Sequence, residues 1–113
     1  MNRLELLKGI FDNNDIPKLM STAEEDNPKC LVKLVGTKRN WEWYVIEGDK
    51  EKGEFFGYVI SDYPEAGTFF VDDLIVAGCY IDKEYVSETL DDLSKRATDK
   101  SLGNNGTKDQ RSR

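Results

Sequence analysis

The stretch Trp41-Glu42-Trp43-Tyr44-Val45-Ile46-Glu47 is the feature that most constrains the fold. Aromatic and β-branched residues at period two describe a strand, with Trp41, Trp43 and Val45 on one face and Glu42, Tyr44 and Ile46 on the other. Eleven of the twelve aromatic residues fall between Trp41 and Tyr85. Each buried ring contributes about 2–3 kcal/mol, so a small sheet can draw its core from this stretch alone. Trp41, Trp43, Phe55, Phe56, Phe69 and Phe70 are expected to supply it. The polar run 48–53 is a hairpin loop, and Glu54–Ser61 is the next strand. Gly57 at its centre signals a bulge or the close approach of another group.

The flanking segments complete an α+β domain. Residues 2–11 carry a helical stripe of Leu4, Leu7 and Phe11, widened by Leu6 and Ile10. Asn2 and Glu5 stand at capping-box spacing. Pro17 disfavours helix at Ile16, and Ser21–Pro28 is an acidic loop. Strands are expected over 30–35 and 68–71, with a turn at 62–67 and a brief fifth strand at 79–81. Asp72 or Asp73 can cap a short helix through Leu74–Ala77, closed by Gly78. Val86, Leu90 and Leu93 predict a helix over 87–96. The sum is an antiparallel β-meander of four to five strands with an N-terminal helix and short C-terminal helices.

Charge is unevenly distributed. The net charge of −6 divides into −1 over residues 1–52, −9 over 53–94 and +4 over 95–113. Residues 1–94 are read as one domain. Residues 95–113 are read as a basic, polar, disordered tail, because Leu102 is their single large apolar side chain. There is no histidine, so histidine-based catalytic triads cannot be built. Two cysteines 49 positions apart give no basis for a structural zinc. No Walker loop or G-x-G-x-x-G motif is present. No cofactor and no metal are expected. Distant cysteines, no export signal and no apolar run of membrane-spanning length predict a cytoplasmic protein with free thiols.

The order of short motifs resembles a known family. P-x-L-x-S-T (Pro17–Thr22), W-x-W-Y (Trp41–Tyr44), F-F-G-Y-V (Phe55–Val59) and E-x-G-x-F-x-x-x-x-L (Glu65–Leu74) are similar to a family of small single-domain proteins of unknown function, frequent on bacterial plasmids, conjugative elements and phages. The resemblance covers roughly residues 15–90. Thr68 stands where the family has an aromatic residue. The resemblance implies a compact α+β domain and a mobile-element setting, and it transfers no catalytic residue.

The functional expectation combines these readings. On the second sheet face Tyr44, Phe56 and Tyr58 could form a stacking platform. Their neighbours are Glu42, Glu47 and Glu54 rather than lysine or arginine, which favours a protein partner over direct binding of nucleic acid. The sequence therefore describes a non-enzymatic, acidic protein-binding module acting on a basic or DNA-binding host protein. Its expected contact residues are Tyr44, Glu54, Tyr58, Asp62, Tyr63, Glu65, Asp72 and Asp73. One alternative is an anti-defence inhibitor whose acidic surface mimics DNA. Another is a small carboxylate-based, metal-dependent hydrolase.

Overall fold

The capping residues start the first helix as the sequence predicts. The Asn2 side chain accepts the Glu5 amide at 2.9 Å, the Glu5 side chain accepts the Asn2 amide at 3.2 Å, and α1 runs Arg3–Phe11. The computed structural model describes residues 2–105, and the side-chain surroundings of residues 2–98. The face of α1 that packs is Leu6, Leu7 and Ile10, while Leu4 stays exposed. Phe11 stacks on Phe55, which stacks on Phe69, with centroid separations of 5.7 and 5.5 Å.

Five antiparallel strands form the central sheet: β2 (Val32–Val35), β3 (Glu42–Asp49), β4 (Glu54–Ile60), β5 (Glu65–Phe70) and β6 (Tyr80–Ile81). Their order is β5-β4-β3-β2-β6. Strands β2 to β5 are a meander, and helix α2 (Val71–Val76) leads from β5 at one edge to β6 at the other. A small ribbon pairs β1 (Lys29–Cys30) with β7 (Glu88–Thr89) ahead of helix α3 (Leu90–Asn105). The fold is thus the α+β meander that the residue pattern predicts, with the ribbon as an addition.

Several local details differ. Glu65, Ala66 and Gly67, expected in a turn, belong to β5 because pairing with Tyr58 and its neighbours on β4 overrides their turn character. Neither Asp72 nor Asp73 is the N-cap of α2. That position is Phe70, and Asp73 reaches back to accept its amide at 2.9 Å. Helix α3 begins at Leu90 and crosses the expected domain boundary at residue 94, with Leu93 and Ala97 buried. Residues 106–113 of the expected tail lie outside the described residues.

Both faces of the sheet are covered. On one, α1 and α2 bury Leu6, Ile10, Val45, Phe55, Val71 and Leu74 together. On the other, α3 and the ribbon bury Cys30, Tyr44, Ile46, Tyr58, Leu93 and Ala97.

The centre of the sheet holds both features that Gly57 signals. The β3–β4 register skips Ile46, so β3 carries a bulge between Val45 and Glu47. Opposite it, a Cβ on Gly57 would lie 1.8 Å from the Tyr44 carbonyl oxygen. The bulge reverses the alternation, so Glu47 faces the same cleft as Phe56 instead of following Trp43 and Val45. There Glu47 is buried and accepts the Met20 amide at 2.7 Å, the Thr22 amide at 2.8 Å and the Thr22 hydroxyl. These bonds hold Met20 in a left-handed conformation (φ 72°) and anchor the acidic loop to the sheet.

Two outcomes follow. Gly57→Ala is expected to cost about 1–3 kcal/mol or more in urea denaturation, because backbone must move. Gly67→Ala, with no heavy atom within 4 Å of the new Cβ, should stay within about 0.5 kcal/mol of wild type. Burial opposes the charge on Glu47, but the Thr22 and Met20 hydrogen bonds outweigh it and hold the carboxyl below its ordinary range. A depressed folded pKa gives stability above the unfolded pKa that is lost as pH falls through the folded one. Glu47→Gln should therefore cost about 1–3 kcal/mol at neutral pH. Its melting temperature should also fall less steeply than wild type below about pH 4.5.

Candidate interaction site at the open edge of the sheet

The residues expected to make contacts divide between core and rim. Tyr44 and Tyr58 are buried in the second core, which corrects the expectation that they form an exposed platform with Phe56. The physical reason is α3, whose Leu93 and Ala97 cover the face on which these rings lie.

Tyr44 sits within a closed polar cluster. Its ring meets Tyr85 edge-on at 5.5 Å, with Lys33 5.9 Å and Arg96 6.0 Å from its centroid. Its hydroxyl donates to Glu42 at 2.5 Å. The Tyr85 hydroxyl donates to Glu88 at 2.6 Å, and Arg96 pairs with the same carboxylate oxygen at 2.7 Å. Burial and the neighbouring carboxylates push both phenols up. Burial works against the Glu88 carboxylate, yet Arg96 and Tyr85 hold it below its ordinary range. Lys33 lies between Glu42 and Asp82, at 4.0 and 3.9 Å. Charges matched in this way fasten β2, β3 and α3 to one another.

The other expected residues flank β5. Asp62 and Tyr63 are exposed in the turn before it, and Tyr63 is 81% accessible. Glu65 opens the strand. Glu54 lies opposite Phe70 at its far end. Asp72 is exposed and pairs with Arg3 at 3.2 Å.

Glu65 and Asp73 both line a cleft of about 440 Å³. The register explains it. Trp43, Val59 and Glu65 form one row across β3, β4 and β5, and Val45, Gly57 and Gly67 form the next. Without a side chain at Gly67 the cleft has an open floor, with nothing within 4 Å of where a Cβ would stand. Trp41 and Trp43, 5.8 Å apart, make one wall, and Val76 and Asp73 of α2 another. The Arg39 guanidinium lies 5.2 Å from the Trp41 ring centroid. Among the described residues neither Glu65 nor Asp73 enters an ion pair.

Trp43 is buried in the first core and Trp41 packs against it, as the sequence reading expects. The part these rings, Arg39 and Val76 take in lining the cleft was not apparent from the sequence. The available signal was that Trp41 follows three polar residues and begins the strand. A ring at a sheet's end is covered on fewer sides than one at its centre.

Such a site offers aromatic faces, carboxylates, hydroxyls and open backbone. Among the described residues no three metal-ligating side chains converge, and no helix is long and apolar enough to cross a membrane. No protein-family model, curated protein or solved structure matches the chain.

Both thiols are sequestered. Burial pushes Cys30 and Cys79 up to about 12, and both are free and buried. The native protein at pH 8 should leave a thiol-specific disulfide reagent unreacted over minutes, and the denatured chain should consume two equivalents.

Proposed function

We propose that the protein is a non-enzymatic binding module that recognises a basic protein partner through the cleft and acidic rim beside β5. The observation that carries this reading is the cleft itself, where two tryptophan rings and two carboxylates without ion-pair partners among the described residues meet over an open glycine. Tryptophan and tyrosine concentrate binding energy at interfaces, and a rim of one charge steers an oppositely charged partner. The contact residues are narrowed to Asp62, Tyr63, Glu65, Asp72 and Asp73, with Glu54 at the far end and the tryptophans added. In the setting the family resemblance implies, the module belongs to a plasmid or phage, and it acts in the bacterial cytoplasm on a host or element protein.

Pull-down from bacterial lysate with the tagged protein tests this. A partner should be retained at low salt and released at high salt. Gly67→Val fits a strand and fills the cleft floor, so it should keep the wild-type melting temperature and lose the partner. Retention of the same partner by Gly67→Val, or of none by wild type at any salt, would sink the proposal.

A further inference from the structure

The two edges of the sheet are unlike. The β6 edge has two residues and is followed by Asp82 and Lys83. The β5 edge has six, with no lysine, no proline and no bulge within it, and among the described residues no strand pairs with its outer side. Sheet edges are ordinarily blunted by one of those devices. On β5 every second residue turns its amide and carbonyl outward, and Ala66, Thr68 and Phe70 are exposed. The Phe70 amide is taken by Asp73, which leaves those of Ala66 and Thr68 for pairing. The cleft that takes side chains runs along the same strand, from Glu65 to Phe69.

We infer that β5 receives an extended, basic segment of the partner as a sixth strand of the sheet, with one of its lysine or arginine side chains entering the cleft between Glu65 and Asp73 beside Trp43. The inference rests on the binding function proposed above and specifies its mode. Backbone pairing with β5 supplies affinity, and the cleft reads alternate side chains. Arg39 already stands over Trp41 and is the one basic residue of the cleft lining, so the incoming cation is held by Glu65 and Asp73 and not by that ring.

Charge selects the occupant. Asp62 and Glu65 stand at one end of β5, and Glu54, Asp72 and Asp73 at the other. A second copy paired antiparallel on β5 would set the Asp62–Glu65 end of each chain against the Asp72–Asp73 end of its neighbour, acid against acid. A basic strand meets opposite charge at both ends.

The probe is an acetylated, amidated nonapeptide that alternates lysine with valine. Its comparator carries N-methyl groups on every second amide, keeping the charge while blocking strand pairing. The full chain is titrated with each at low salt, followed by fluorescence and by amide hydrogen exchange. The unmodified peptide should slow exchange at alternate amides of Glu65–Phe70. Methylation should weaken binding about tenfold or more. Glu65→Lys, at an exposed position, should weaken it by a similar factor at unchanged melting temperature. Equal affinity for the two peptides, or protection away from β5, overturns strand addition while leaving an acidic binding surface in place. No binding of either peptide overturns both readings. Protection of β5 that rises with protein concentration alone identifies a second copy as the occupant and overturns the inference.

Discussion

At Gly57 the backbone of β4 passes so near the Tyr44 carbonyl that a single methyl group would not fit. Much of the structure depends on that approach. Opposite it β3 takes up an extra residue at Ile46, and from there Glu47 and Phe56 face one side while Gly48 and Phe55 face the other. Phe55, on the face of β4 that regular alternation gives it with Gly57 and Val59, stacks between Phe11 and Phe69 and joins α1 to β5. Glu47 enters the second side, where it gathers the loop around Met20 and Thr22. The bulge therefore sets the position of the buried acid, on the face opposite the aromatic stack.

The open edge is defined by what the helices leave uncovered. Helix α3 reaches Tyr44, Ile46 and Tyr58 and is tied to β7 of the ribbon by the Arg96–Glu88 pair. On β5, Ala66, Thr68 and Phe70 remain exposed on that same face. On the first face α2 covers Phe69 but leaves Glu65 and Gly67 beside the tryptophans. Tyrosines that looked equivalent along the chain thus have different fates: Tyr44 and Tyr58 lie on central strands and are buried, and Tyr63 lies beyond the strand ends and is exposed.

The elements set by neighbouring residues were legible in the sequence: the Asn2–Glu5 cap, the alternation through Trp41–Glu47, the special role of Gly57 and the stop at Gly78 (φ +67°). Those set by distant residues were not. The β1–β7 ribbon joins Lys29 to Thr89, and two-residue strands carry no periodicity. Glu47 read as a polar strand end because a bulge shifts which face a residue occupies. Alternation separated the two faces of β3, but it could not show that a helix about fifty residues later would close the second one. The same limit applies to the site. Its acidic residues were visible as charge, whereas the cleft between Glu65 and Asp73 exists only through the register of β3, β4 and β5.

The inequality of the two sheet edges also governs how far any assembly can grow. A sheet that offers pairing groups along both margins can propagate, each added strand presenting the next with a new template. Here one margin ends in the two-residue β6, and the other in the six-residue β5. In the proposed mode a strand paired with β5 would occupy the one long margin among the described residues, so any further growth would have to start from the outer edge of the added segment. The protein itself would stand at the end of such an assembly, since its own opposite margin is only two residues long.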